Sequence, residues 1–196
     1  MNMLQHLRPA LVMMVLFTVV TGVVYPLVVT GVAQVALPYQ ANGSLLKDAH
    51  GQVVGSALIG QNFAGPGYLH PRPSAAGTNG YDATNSSGSN LGPMDKKLAD
   101  RINGDAKTLN AESSAPIPAD AVTTSGSGLD PDVTPANAAR QIPRIAKARG
   151  MANDAVMAII GRATEQPALG FIGQPHVNVL LVNRALDAVR PLPHRS

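Results

Sequence analysis

Cysteine is absent from the 196 residues, which excludes disulfides, thiolate metal sites and a cysteine nucleophile while saying nothing about compartment. Charge is absent over a long stretch as well: no Asp, Glu, Lys or Arg occurs between Arg8 and Lys47. Arg8 is the one basic residue ahead of Lys47, so the remainder holds 14 of the 15 Lys and Arg against all 12 Asp and Glu, a near-balanced +2 that the pI of 9.4 overstates. That balance gives no argument for nucleic acid, which calls for clustered basic residues interleaved with aromatics. The marks of common catalytic machinery are missing too. No glycine-rich turn continues as G-K-[ST], so a Walker phosphate loop is absent and the chain shows no ATPase machinery of its own. No G-x-S-x-G elbow accompanies the many serines. His50, His70 and His176 stand apart with no second ligand three or four residues away, so no metal site is expected.

What fills the uncharged stretch is apolar. From Ala10 to about Leu37 the chain is hydrophobic apart from Thr18, Thr21, Thr30, Gln34 and small residues. A helix rising about 1.5 Å per residue needs roughly 20 such residues to cross a bilayer, and this run exceeds that. The expected organisation is a cytoplasmic tail over residues 1–8, a transmembrane helix over 9–37 and an extracytoplasmic domain over 38–196. A cleaved signal peptide, cut near Gly31-Val32-Ala33, is the rival reading, but signal h-regions end after about 7–15 residues. Pro26 removes a backbone donor within the span and predicts a kink. Thr18, Thr21 and Gly22 make either a small-residue packing face or ordinary lipid-tolerated positions. Arg8, His6 and the terminal amine on one side, against Lys47 offset by Asp48 on the other, place the N-terminus in the cytoplasm.

The polar part reads as an α+β domain with long ordered turns. Gln52–Ile59 has strand character, with β-branched residues between glycines. Gly60–Pro93 is dense in Gly, Pro, Asn and Ser, with Phe63, Tyr68 and Tyr81 as anchors, and predicts tight turns rather than disorder. Lys96–Leu109 places Leu98, Ile102 and Leu109 near one helix face, with Asp95 beside its start. Thr134-Pro135 is an N-cap followed by an N1 proline. The helix it opens carries an apolar stripe of Ala138, Ile142, Ile145 and Ala146, a basic stripe of Arg140, Arg144 and Lys147, a bend at Pro143 and a stop at Gly150. Asn153 is expected to cap a second helix. Val177–Val182 reads as a buried strand followed by a short helix over Ala185–Val189, with the first and last strands as partners in a small sheet.

One pattern occurs twice. Ser87-Gly88-Ser89-Asn90-Leu91-Gly92-Pro93 and Ser125-Gly126-Ser127-Gly128-Leu129-Asp130-Pro131 share S-G-S-x-L-x-P, each ahead of a predicted helix. Two readings stand: an anion cradle of backbone N–H groups, or helix-entry turns in which Leu91 and Leu129 plug equivalent buried positions. Asp130 and Asp132, flanking Pro131, make either a cation site or an Asx turn.

Together, the series Gly55–Phe63, Tyr68–Ala75, Tyr81 and Ser86–Pro93, then Ser125–Asp132, Pro135, Ala138, Gln141, Arg144 and Ala146, then Val177–Leu180, Asn183 and Ala185–Asp187, closely resembles the C subunit of the bacterial Kdp potassium-transporting ATPase. The resemblance spans nearly the whole chain in order. Leu69 departs from it, where Phe or Trp is common, as does Pro143. It implies a single-span, non-catalytic accessory subunit of a P-type pump in the bacterial inner membrane. Such a subunit is needed for assembly and acts as a catalytic chaperone that raises ATP affinity. The implied partners are the potassium-binding and ATP-hydrolysing subunits and the lipid bilayer. No intrinsic cofactor is implied, ATP entering only through the catalytic partner. Gln61 is the implied nucleotide contact, and Gly60, Phe63, Arg72, Ser87, Asn90, Leu91, Ser127, Leu129 and Asp130 are the implied motif or interface positions. The orientation derived above sets Gln61 across the membrane from cytosolic ATP, so assembly or long-range coupling stands beside direct contact. A membrane-anchored extracytoplasmic binding or cell-envelope module is the alternative class.

Overall fold

A computed structural model describes residues 3–192 of the chain; Met1 and Asn2, the start of the expected tail, lie outside the described residues. The chain divides into two units, Met1–Leu46 and Lys47–Ser196. In the first, helix α1 (Met3–Val19) runs through a five-residue π-helical turn, Val20–Val24, into α2 (Tyr25–Ala36), and α3 (Pro38–Ala41) follows. His6–Ala36 is long and apolar enough to cross a membrane. The π turn sits where Pro26 demands it. Proline cannot donate to the carbonyl four residues back and its ring crowds that carbonyl, so the ladder widens to i→i+5, with the Tyr25 N–H donating to Val20 O. Thr21 adds a bond from its hydroxyl to Phe17 O at 2.6 Å. The irregularity expected at Pro26 is therefore a π turn placed just ahead of it.

Along the chain a two-stranded sheet of β1 (Leu45–Lys47) and β2 (Val53–Ser56) follows. Asp48 shapes the connection, its Oδ1 accepting the His50 and Gln52 N–H groups. β2 is shorter than the Gln52–Ile59 strand expected, because Ser56 turns the chain: its Oγ accepts the Leu58 N–H at 3.1 Å. Residues 57–95 then run without helix or strand to α4 (Lys96–Glu112), whose N-cap Asp95 accepts the Lys97 N–H. A 3₁₀ turn (Ala119–Ala121) and β3 (Asp132–Val133) lead to α5 (Pro135–Arg149), capped by the Thr134 hydroxyl and ended by Gly150 at φ 60°. Pro143 sits within α5 without ending it. The carbonyl it leaves without a helix donor belongs to Ala139, an exposed residue, where water can replace the missing bond. α6 (Asn153–Arg162) begins at Asn153 rather than being capped by it; Ala152 takes the cap position and no side chain bonds there.

The C-terminal reading needs correction. β5 (His176–Asn178) lies at the centre of a three-stranded antiparallel sheet between β3 and β4 (Thr164–Glu165), in the order β3-β5-β4, with Val177 opposite both Val133 and Thr164. The first and last strands are therefore not partners. Val179 to Val182 are helical, the opening of α7 (Val179–Val189), because Asn178 caps them: its Oδ1 accepts the Leu181 N–H at 3.1 Å. The helix period was present in the sequence. Val179, Val182, Asn183 and Leu186 fall at i, i+3, i+4 and i+7, and all four are buried. The three apolar ones pack with Ile142, Ile145 and Ala146 of α5, Val156 and Ile160 of α6, Val133, Val177 and Leu69 in one core.

Leu69 reaches that core from the irregular segment, and side-chain amides hold it there. Asn183 Oδ1 accepts the Leu69 N–H at 2.7 Å and its Nδ2 donates to Leu69 O at 2.9 Å, all buried. Gln141 repeats the arrangement on the next residue, accepting from the His70 N–H at 2.8 Å and donating to His70 O at 3.1 Å. Replacing Asn183 by Ala orphans two buried backbone groups, at about 1–3 kcal/mol each. Asn183→Ala is therefore expected to lower the urea midpoint of the detergent-solubilised chain markedly; an unchanged midpoint would show that water satisfies Leu69 as well as Asn183 does.

Candidate functional site

The motif positions gather into three neighbouring groups. In the first, the segment after β2 meets the second S-G-S turn. Gly60 donates to Leu129 O at 2.8 Å, and a Cβ at Gly60 would stand 2.5 Å from Asp130 O, so only glycine allows the backbones to approach this closely. Arg72 reaches across to Asp130 Oδ2 at 2.8 Å and also donates to Thr123 O at 3.3 Å. The other Asp130 oxygen accepts the Asp132 N–H at 3.0 Å, an Asx turn that leaves the carboxylate fully engaged. The Tyr81 hydroxyl donates to Arg72 O at 2.6 Å. Burial, aided by the Asp130 charge, pushes the Tyr81 phenol well above its ordinary range, so it remains a donor at any physiological pH. Burial likewise raises the Asp132 carboxyl, whose Oδ1 is enclosed without a hydrogen-bond partner.

The second group is the pair of S-G-S turns, which lie against each other. A Cβ on Gly88 would come 3.1 Å from Gly126 O, and one on Gly128, at φ 67°, would come 2.5 Å from Ser87 O. Ser86 Oγ bridges to Ser127 O at 3.0 Å, and Ser87 Oγ donates to Ala75 O at 2.9 Å. In the second copy two of the N–H groups that an anion would need are occupied internally: Gly128 donates to Ser125 Oγ at 2.9 Å and Leu129 to Ser127 Oγ at 3.1 Å. Leu91 and Leu129 are only half-buried and neither joins the core, so the pair does not plug equivalent buried positions. Contact between the turns replaces those plugs. Asn90 is exposed and holds a left-handed turn at φ 51°, a conformation that Asn tolerates better than most residues.

Gln61 belongs to the third group. Its Nε2 donates to Val54 O at 3.0 Å, tying the loop back onto β2, and Gly55 supplies the room, since a side chain there would collide with the Gln61 amide. A cleft of about 310 Å³ opens beside it, lined by Val54, Phe63, Leu180, Asn183, Arg184 and Asp187. The Gln61 carbonyl oxygen has no hydrogen-bond partner among the described residues. Phe63 packs against the core and against the Tyr68 ring, centroids 5.5 Å apart.

Of the basic stripe on α5, Lys147 is exposed, but Arg140 and Arg144 turn inward onto backbone carbonyls. Arg140 is buried and donates to Leu109 O, Ser113 O and Ala115 O, closing the carbonyl end of α4 and the chain beyond it. Arg144 donates to Pro66 O and Tyr68 O. Arg149, which the stripe did not include, is enclosed completely. It binds Gly67 O, Arg190 O and the Asp187 carboxylate, and stacks 4.9 Å over Tyr68. Asp120 was likewise unmarked by the sequence, yet it accepts from the Thr134 N–H, the Thr134 hydroxyl and Asn137 Nδ2, pinning the start of α5. Among the described residues no three His, Asp or Glu side chains stand together as a metal site.

A family model described as "KdpC: K+-transporting ATPase, c chain" matches residues 7–188. The chain belongs to the KdpC family. The curated relatives include proteins named potassium-transporting ATPase KdpC subunit. The one from Caulobacter vibrioides strain NA1000 is 65% identical over 190 residues, covering 96% of each chain. That of Rhodopseudomonas palustris strain TIE-1 is 51% identical over 201 residues, 96% of this chain and all of the relative. A third, from Koribacter versatilis, is 50% identical over 192 residues, covering 97% of this chain and 98% of its own length.

His70 makes the group around Arg144 sensitive to acid. Its Nε2 lies 2.9 Å from Gly65 O and 3.2 Å from Arg144 Nη1. Burial first, then the Arg144 charge, lowers its pKa below the ordinary 6.5. The unfolded chain therefore takes up a proton that the folded one resists. Stability is complete above about pH 6.5 and falls as pH drops from there towards the lowered value. His70→Gln is expected to flatten the pH dependence of the unfolding midpoint between pH 7 and 5; a slope identical to that of the unsubstituted chain would overturn the assignment.

Proposed function

We propose that the chain is the non-catalytic accessory subunit of an ATP-driven, high-affinity potassium importer in the bacterial cell membrane. In this reading it is required for assembly of the potassium-binding and ATP-hydrolysing subunits and raises the ATP affinity of the latter. The observation that carries it is the state of the motif residues. Arg72, Asp130, Ser87 and Ser127 are all engaged in hydrogen bonds within the domain. What they furnish is a fixed shape rather than a nucleophile, a base or an anion cradle, and a fixed shape in a chain that also carries a candidate membrane span suits a subunit that acts on partners. The names of the relatives supply the pump.

Topology decides how ATP affinity is affected. The His6–Ala36 helix is taken to cross the membrane with Arg8 on the cytoplasmic side, as the charge distribution favours, and the α+β domain then lies outside. Protease added to intact spheroplasts is expected to remove a C-terminal tag; protection until the membrane is opened would reverse the orientation and bring Gln61 to the side of cytosolic ATP.

With the domain outside, the effect on ATP runs through assembly or long-range coupling. The free carbonyl oxygen of Gln61 beside its cleft favours a second reading, direct acceptance of a hydrogen bond from nucleotide. Gln61→Ala separates the two in complexes normalised for subunit content. The nucleotide groups able to donate to a carbonyl oxygen are the neutral adenine amine and ribose hydroxyls, so a direct contact contributes about 0.5–1.5 kcal/mol, a shift of roughly two- to tenfold in the ATP concentration for half-maximal hydrolysis. Unchanged half-saturation, with the same or less complex recovered, is the expected outcome. ATP turnover by the isolated chain would overturn the accessory role itself, and recovery of the chain without any pump subunit would favour a cell-envelope module.

A further inference from the structure

The loop between β4 and β5 carries an apolar tip that the fold neither buries nor explains. From Gln166 to Pro175 no residue is charged. Leu169 is 82% exposed, Phe171 76% and Ile172 54%. These side chains are not on a slack loop. Ala168 and Ile172 exchange both backbone hydrogen bonds, at 3.0 and 2.9 Å, and the Gly170 N–H closes on Pro167 O at 2.9 Å. Leu169 itself is held at φ 54°, a left-handed conformation that a branched apolar residue adopts at a cost. An ordered turn thus keeps its bulkiest residues in water, one of them in a strained backbone, with no burial against the other described residues to compensate.

We infer that the Leu169–Ile172 tip is a docking plug for an uncharged apolar socket on another chain of the same pump. The inference rests on the functional reading above for the existence of such chains. Three features favour a protein socket over other occupants. The turn has a fixed shape, which gains affinity only against an equally fixed surface, whereas lipid accommodates any shape. Elements that lie on membrane surfaces carry Lys or Arg beside their apolar residues, and the tip has neither. A second copy of this chain is disfavoured by size, since three side chains supply less than the roughly 800 Å² per partner that a stable dimer needs. The same small area suffices within an assembly whose other contacts already hold the chain, because a tethered contact acts at high effective concentration, and a central aromatic in a pocket carries much of such an interface.

The test uses the full chain produced in membranes with the other pump subunits. Phe171 is replaced by the photoreactive p-benzoylphenylalanine, the membranes are irradiated, and adducts are identified by mass. The expected product is an adduct with a pump subunit. In parallel, the Leu169→Ser, Phe171→Ser, Ile172→Ser triple variant is expected to reduce co-purifying pump subunits at least tenfold in mild detergent, with its own unfolding midpoint unchanged. Adducts only with lipid, only with a second copy, or none at all would overturn the plug, as would full co-purification of a triple variant that folds normally. Should the unsubstituted chain fail to co-purify with any pump subunit, the functional reading falls and the plug with it; co-purification without the Phe171 adduct removes the plug alone.

Discussion

The structure depends on one constraint: a run of nearly forty residues without helix or strand has to lie against a core, and its backbone N–H and C=O groups need partners there. Regular ladders would supply them automatically. Here side chains of α5 and α7 do so instead. Asn183 and Gln141 each mimic a strand partner, giving one donor and one acceptor to a single residue, Leu69 and His70 in turn. Arg144 and Arg149 take the carbonyls of Pro66, Tyr68 and Gly67 immediately before them. An arginine suits this task because its planar fork can donate to several acceptors at once without titrating. Arg149, completely enclosed, is offset by Asp187 and by the Tyr68 ring, which is how a buried guanidinium avoids standing uncompensated.

That constraint explains which parts of the fold were legible in the sequence. The density of Gly, Pro, Asn and Ser between Gly60 and Pro93 foretold turns, and Phe63 and Tyr68 proved to be anchors. The side chains that hold the segment were not legible, because Asn183 and Gln141 lie 114 and 71 residues from their partners, and local pattern carries no information over that distance. The basic stripe on α5 was visible but its meaning was not: spacing alone cannot distinguish a solvated face from a row of guanidiniums closing on carbonyls. Asn178 shows the converse case. Six residues rich in Val and Leu suit a strand, yet one side-chain oxygen accepting the Leu181 N–H divides them into a short strand and a helix. The period of Val179, Val182, Asn183 and Leu186 outweighs β propensity because it buries four residues on one face.

The repeated S-G-S pattern has a similar lesson. Read one copy at a time, each is a glycine-rich turn with spare N–H groups. In space the two copies are each other's partners, Gly88 against Gly126 and Gly128 against Ser87, and the Ser86, Ser87, Ser125 and Ser127 hydroxyls are engaged within the pair and its neighbours. The similarity is therefore better explained by mutual packing than by a ligand common to both. Glycine is demanded at Gly128 twice over, by its positive φ and by the approach of two backbones, so a substitution there would disturb both turns.

A domain organised in this way has little conformational slack near its motifs. Arg72 links two segments 58 residues apart through Asp130, Gly60 docks on the same turn, and Tyr81 locks the Arg72 carbonyl with a phenol that stays protonated. Displacing any one of these moves the others, since packed interiors shift between discrete arrangements rather than deforming smoothly. That property would suit the proposed long-range coupling, because a stiff body transmits a displacement from one face to another where a loose one would absorb it. Among the described residues, the Gln61 side-chain carbonyl and the Leu169–Ile172 tip are two places where such a body can be engaged from outside. They differ in chemistry, one a lone acceptor beside a cleft and the other a dry apolar projection. Apolar burial over several side chains contributes more to association than one neutral hydrogen bond does, so of the two the proposed docking at the tip would supply the larger share of any affinity.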